Sequence, residues 1–300
     1  IKAILNQDYN YGKFELIVID DGSTDNSLNV AKKFKKDKRL RIIDNGKNLG
    51  YIKSLNKSIK ASKYELVCLV ICDQILNSKN WLKEMVEVLN SDEKIAATAS
   101  IIEIPDDAWK NYSFIIKVIL MKDYENQSKN KQREGKPDLF KKDVLKEMGF
   151  YDERFNLAGE DSDLRLKLLK NGYKIKTAKN ARLLHYHGDY YKNTGFMHEL
   201  FRKALPLAEA SGVVYRKHGF LHGRYWNHIS STIVYFGLLF PYIRYISLVL
   251  IIAIISLYTY KVLIYTKNWK TIFIPFFKFF KDIISIFGFW KGFITGKQTF

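Results

Sequence analysis

The densest group of ionisable side chains lies in GEDSDLRLKLLKNGYKI, residues 159–175, where Glu160, Asp161 and Asp163 open an amphipathic helix whose stripe includes Leu164, Leu166, Leu168 and Leu169. Acids favour a helix N-terminus, which accounts for their sign. Three carboxylates this close also repel one another, and repulsion raises a pKa and suits one of them to proton abstraction. Asp73 closes the apolar run YELVCLVICD, a lone acid at the end of a strand where an open sheet binds its ligand. In ARLLHYHGDY, His185 and His187 fall on one side of a strand. A neutral imidazole beside a carboxylate is a potential metal pair, although a histidine is as readily a surface or core residue.

Two further motifs sit at strand-to-helix turns. VIDDGSTDNS, residues 18–27, offers Asp20, Asp21 and Gly22 at a sheet edge. There a carboxylate can read a base imide and glycine permits close backbone approach, or the same residues simply turn the chain and cap a helix. NGKNLGYIKSLNKSI, residues 45–59, puts Asn48 in a turn before a helix bearing Lys53 and Asn56 near one face. A helix start with a lysine favours phosphate, although Asn-x-Gly is also ordinary turn chemistry.

The elements that must hold these residues follow from periodicity. FELIVID, RLRIID, YELVCLVI and KIAATASIIE read as strands of a sheet covered on both faces. Between them, segments such as NWLKEMVEVLNSD carry apolar residues at helical spacing. The order is βαβαβαβ, an α/β fold with a mostly parallel sheet. The polar segment at 125–138 is left without assigned structure, as either a loop over the site or a long insertion. Helical and strand patterns return over 139–184. Cys68 and Cys72 are the only cysteines, read as two buried small hydrophobes in a reducing compartment rather than a bridge or a zinc site.

At 300 residues, 47% apolar and 15% aromatic, the chain can build a substantial core. It starts without an initiator Met or a signal-like segment, and so reads as trimmed or as beginning inside a longer chain. The net charge of +18 suits nucleic acid, an anionic membrane or a phosphorylated substrate. The bases are spread along the whole chain and carry no nucleic-acid-binding signature, so no nucleic-acid partner is expected.

The C-terminal region favours a membrane. Arg244 is the only charge from Ile229 to Tyr260, and residues 245–260 are uncharged, somewhat short of the roughly 20 needed to span a bilayer. Residues 267–293 interleave lysines with aromatics, as a helix in the interface does. The topology stays open: a single span, a shallow hairpin about Pro241, a return through 271–289, or a buried helical core.

The motifs in order resemble the inverting glycosyltransferases of family 2, with the GT-A (Rossmann-like) fold: AILNQDYNYGKFELIVIDDGSTDNS, NLGYIKSLN, the strand ending in Asp73, KKDVLKEMGFYDERF running into GEDSDLRLKLLKNGYKI, and HYHG. The resemblance covers about residues 1–190. It implies a GT-A domain over 1–190 lacking its first strand, a helical connector at 191–228 and a hydrophobic helical membrane-associated region at 229–300.

By the same resemblance, Asp161 is the general base with Glu160 beside it. Asp20 and Asp21 read the nucleotide base, and Lys53, Asn56 and Asn48 lie near the ribose or phosphates. Asp73 holds Mg2+ or Mn2+, with His185 a further metal contact. Two departures stand out. The family's first strand and its Pro-Thr-Tyr-Asn-like segment are absent, and Ile71 occupies the place of the first acid in the DxD metal motif.

The implied function is hexosyl transfer, with inversion, from a nucleotide-sugar donor to a lipid-linked or polysaccharide acceptor during cell-envelope polysaccharide synthesis. The protein would be membrane-associated, with its catalytic domain cytoplasmic. The alternatives are a catalytically degenerate GT-A scaffold and a basic nucleic-acid-binding protein.

Overall fold

The computed structural model describes residues 1–10, 13–128, 134–156, 158–187, 200–219 and 226–299. The chain divides into two compact units. One comprises 1–105, 130–156 and 160–186; the other comprises 106–129, 157–159 and 187–300. Residues 106–129 fall in the unit that also holds 187–300.

The first unit is α/β. After helix α1 (Lys2–Leu5), strands β1 (Leu16–Asp20) and β2 (Leu40–Asp44) pair in parallel, joined by helix α2 (Ser27–Lys32). After α3 (Tyr51–Ala61), a five-stranded sheet is assembled from β3 (Leu66–Cys68), β4 (Gln74–Leu76), β5 (Ile95–Glu103), β6 (Glu134–Lys141) and β7 (Lys174–His185), in the order β3-β6-β5-β7-β4. This sheet is mixed. β5 and β7 run parallel, while β6 is antiparallel to both β3 and β5 and β4 is antiparallel to β7. Among the four strands expected from βα alternation, the parallel order therefore holds for β1/β2, while β3 and β5 flank an antiparallel neighbour. That neighbour is β6, part of which the sequence left in an unassigned polar segment.

Leu139 and Phe140, adjacent in β6, point to opposite faces of the sheet and anchor separate cores. On one face Phe140 joins Ile52 and Ile59 of α3, Leu145 of α7 (Lys142–Glu147) and Leu164 and Leu168 of α8 (Glu160–Lys170). On the other, Leu139 meets Trp81, Met85 and Leu89, spaced by four along α4 (Trp81–Asn90) and fully buried. Of the leucines expected in the α8 stripe, Leu169 is exposed. Cys68 and Cys72 are free thiols, and Cys72 is exposed rather than buried because β3 ends at Cys68.

A cavity of about 570 Å³ lies along the edges of β1 and β3, lined by Ile17, Leu66, Val70, Trp81 and Leu139 among others. Its lining is mainly apolar and contains none of the acids singled out above. Among the described residues neither β1 nor β3 pairs a second strand on that side.

The second unit is helical: α5 (Asp106–Asn111), α6 (Phe114–Ser128), α9 (Leu205–His218), α10 (Trp226–Phe236), α11 (Arg244–Thr266) and α12 (Ile274–Thr295). Helices α9 and α12 meet through glycine. A Cβ on Gly292 would come within 1.9 Å of the Glu209 carbonyl oxygen, and one on Gly212 within 2.0 Å of that of Phe289. Backbones this close leave no room for a side chain, as at small-xxx-small helix crossings. Helix α11 has 23 residues and a mean hydropathy of 2.2 over its most apolar window, the one described helix long and apolar enough to cross a membrane.

Candidate active site

Helix α8 begins at Glu160, directly after Gly159, whose positive φ of 96° turns the chain into the helix. This delivers Glu160 and Asp161 to one place. The Glu160 side chain is buried, whereas the Asp161 carboxylate keeps 30% of its surface exposed. From β6, Lys136 reaches within 3.7 Å of Asp161 and donates to the Tyr51 hydroxyl at 3.4 Å. Two residues further along the same strand, Asp138 is fully buried and accepts from the Ser100 amide at 3.1 Å and its hydroxyl at 2.5 Å.

Burial sets the charge states of this group. It raises Asp161 above the ordinary carboxylate range, and Lys136 opposes that rise. Burial raises Glu160 as well, and the neighbouring Asp161 adds to it. Asp138 is pushed up to about 6, chiefly by burial. Lys136 is held charged: burial works against its ammonium, but Asp161, Tyr51, Glu160 and Asp138 together raise its pKa. A carboxyl raised by burial yet open to solvent on one side has the character of a proton acceptor. Asp163, the third expected acid, is fully buried and pairs with Lys167 at 3.1 Å one turn on, so it stands apart from the other two.

Asp73 does not end a long strand. β3 stops at Cys68, residues 69–73 turn, and Asp73 immediately precedes β4. The antiparallel register pairs Gln74 with His185, and this brings His185 Nε2 within 3.1 Å of Asp73 Oδ2. Strand β7 ends at His185, so His187 lies beyond it, where its amide donates to the Tyr112 hydroxyl.

A divalent cation fits this pair as a site completed by substrate. Mg2+ and Mn2+ characteristically take one or two protein ligands together with phosphate oxygens and water, and an imidazole donor suits Mn2+ better than Mg2+. Among the described residues no group of three His, Cys, Asp or Glu side chains stands ready to hold a metal.

The residues expected at the nucleotide are engaged internally. Asp21 accepts from the Leu49 amide at 2.9 Å, the Gly50 amide at 3.0 Å, Asn45 Nδ2 at 2.9 Å and Ser54 Oγ at 2.7 Å. Burial alone would raise its pKa, but these bonds outweigh it and hold the carboxyl below its ordinary value. Asp20 is buried and accepts from the Ser23 amide at 3.1 Å.

The close backbone approach for which Gly22 is needed is to its own protein. A Cβ there would lie 2.6 Å from the Lys47 carbonyl carbon. Asn48 Oδ1 accepts from the Gly50 amide at 2.8 Å, closing the turn, and Lys53 is exposed. Asn56 is buried. It donates to the Tyr151 carbonyl at 2.9 Å and to Glu153 at 3.1 Å, and accepts from the Tyr151 amide at 3.1 Å.

The structure thus gathers Glu160 with Asp161, and Asp73 with His185. It assigns Asp21, Asn48 and Asn56 to holding loops. Lys136, Asp138 and Tyr51 went unnoticed in the sequence; the one available signal was Lys-Pro-Asp interrupting a polar run just ahead of the strand-like LFK.

Residues 1–147 match the model of glycosyl transferase family 2. An uncharacterized glycosyltransferase of Haemophilus influenzae is 37% identical over 105 residues, 35% of this chain and 32% of that one. The poly-beta-1,6-N-acetyl-D-glucosamine synthase of Staphylococcus epidermidis is 28% identical over 182 residues, 57% of this chain and 42% of that one. The chain therefore spans less than half the length of these curated relatives.

Among solved structures, the mannosyltransferase PcManGT of Pyrobaculum calidifontis, in complex with GDP-Man and Mn2+, superposes with a TM-score of 0.60 at 16% identity, covering 96% of this chain and 81% of that one. Staphylococcus aureus TarS with UDP-GlcNAc gives a TM-score of 0.51 at 14% identity, covering 98% and 85%. The fold is GT-A, and the match to glycosyl transferase family 2 covers residues 1–147.

Proposed function

We propose that the chain transfers a sugar from a nucleotide-diphosphate sugar to a glycan or lipid-linked acceptor, with inversion at the anomeric carbon. The observation that carries this reading is the Asp161 carboxylate, raised by burial yet 30% exposed at the start of α8. In the reaction, Asp161 takes the proton of the acceptor hydroxyl as that oxygen attacks the anomeric carbon from the face opposite the departing diphosphate. Glu160, buried and raised, remains the protonated neighbour. Orientation of the two reactants supplies a large share of the acceleration.

Asp73 and His185 would hold a divalent cation, Mn2+ rather than Mg2+ on their donor chemistry; when bound it neutralises charge on the leaving diphosphate. The GDP-Man and Mn2+ held by PcManGT support the donor class. The poly-beta-1,6-N-acetyl-D-glucosamine synthase relative supports a growing polysaccharide as acceptor.

Membrane association rests on α11. Its apolar side chains are largely exposed, including Ile246, Val249, Ile252 and Leu257. Lysines of the following segment near an anionic leaflet add about 1 kcal/mol each. On this reading the catalytic domain works at the cytoplasmic face, where a lipid-linked acceptor is within reach. A non-catalytic scaffold is the competing reading, favoured by Ile71 in place of an acid.

Turnover of a panel of UDP-, GDP-, dTDP- and CDP-sugars with Mn2+, by the wild type and by Asp161→Asn, separates the two. Loss of a general base costs about 10²–10⁴ in kcat with the fold intact by circular dichroism. An Asp161→Asn protein as active as the wild type removes the base assignment, and a wild type that turns over no donor leaves the scaffold.

A further inference from the structure

Asp161 does not act among neutral neighbours. Three carboxyl groups share its surroundings: Glu160 beside it on α8, Asp138 on β6, and its own. Two phenols complete the group, Tyr51 from α3 and the buried Tyr151 between α7 and α8. Glu160 Oε2 and Asp138 Oδ1 are buried with no hydrogen-bond partner among the described residues, which is what carboxyls that carry a proton tolerate better than carboxylates. Among the described residues only one cation stands at ion-pair distance from these groups, Lys136, and it is placed unevenly. Its ammonium lies within 3.7 Å of Asp161, whereas no ion pair joins it to Glu160 or Asp138. The Tyr51 hydroxyl, 3.4 Å from Nζ, and the Tyr51 ring, 5.9 Å away, fix where the lysine ends.

We infer that Lys136 is a positioning residue that selects Asp161, rather than Glu160 or Asp138, as the member of this acidic group that ionises first, and so keeps the base ready for the acceptor. The inference rests on the reading of Asp161 as general base. Carboxyl groups crowded into a poorly solvated site cannot all ionise, and the proton goes to whichever lacks a cation. With Lys136 against Asp161, Asp161 gives up its proton ahead of Glu160 and Asp138. Without it, nothing distinguishes the adjacent acids of α8, and the base is protonated over part of the neutral range. The strand supports this arrangement, because Lys136 and Asp138 lie two residues apart on β6.

The test is the pH dependence of kcat/KM from 5.5 to 9.5 for the full chain, using whichever donor of the nucleotide-sugar panel the wild type turns over fastest. Lys136→Met keeps the aliphatic stem and removes the charge; Lys136→Arg keeps the charge. Removing an opposite charge at this range is expected to move the acidic limb upward by about 1–3 pH units, so Lys136→Met loses roughly tenfold or more near pH 7 and recovers most of it by pH 9. Lys136→Arg keeps the limb near its wild-type position. A Lys136→Met loss that is the same at every pH, or an acidic limb displaced equally in Lys136→Arg, overturns the inference and leaves the lysine a purely structural role. Asp161→Asn, assayed alongside, keeps the two readings apart. If it stays active, the base assignment has failed; if it is inactive while Lys136→Met is flat with pH, only the role given to Lys136 has failed.

Discussion

Replacing Asn56 with alanine decides between two uses of one side chain. Family resemblance puts Asn56 near the ribose or phosphates, whereas in the structure its amide bridges α3 to the segment after α7 through Tyr151 and Glu153. Truncation removes the partner of both the Tyr151 amide and the Tyr151 carbonyl, in a residue that is itself buried. A buried backbone group stripped of its hydrogen bond costs about 1–3 kcal/mol. Two such groups give about 2–6 kcal/mol, with the weaker Glu153 contact adding little. For a chain of this size that corresponds to a fall in Tm on the order of 3–10 °C. Urea denaturation followed by far-ultraviolet circular dichroism reads the loss. Nucleotide affinity, measured by calorimetry well below the new transition, stays within about twofold of wild type. A stability change under about 1 kcal/mol together with a tenfold loss of nucleotide affinity would refute the structural assignment and return Asn56 to the ligand.

Two further outcomes follow from charge. Asp138 titrates near 6 in the folded protein and near the ordinary carboxyl value when unfolded, so between about pH 4 and 6 the folded state holds a proton that the unfolded chain has released. Its contribution to stability therefore falls as pH rises through that window, by about 2–3 kcal/mol in all. Asp138→Asn lacks this term, so it gains on the wild type between pH 4.5 and 7.5; urea midpoints at the two pH values check this, and a gap that narrows or stays constant contradicts it. At Asp73 and His185, Mn2+ is expected to tighten wild-type binding of the nucleoside diphosphate about tenfold or more over EDTA, and Asp73→Asn or His185→Ala to abolish that difference while leaving metal-free affinity unchanged. Equal enhancement in the variants would place the cation elsewhere.

Much of the frame was legible in the linear sequence. Period-4 burial of Trp81, Met85 and Leu89 and the acids opening α8 are local patterns, because helical spacing and helix-end electrostatics involve residues a few positions apart. The approach of His185 to Asp73 was anticipated only through resemblance, and strand register accounts for it. A reading by local apolarity ran the strand on to Ile71, whereas β3 stops at Cys68. Pairing partners, not composition, decide where a strand ends.

What the sequence determined by itself is which segments are apolar, how they alternate, and which carboxylates open a helix, since neighbours along the chain encode these properties. The tertiary structure alone decided what those groups meet. It joined Lys136 to Asp161 across 25 positions, committed Asp21 to the loop at 45–50 and Asn56 to Tyr151, turned β6 antiparallel to β5, and set Gly292 against the backbone of α9. Each of these depends on a contact between residues distant in sequence, and such a contact leaves no period or local propensity for a linear reading to detect.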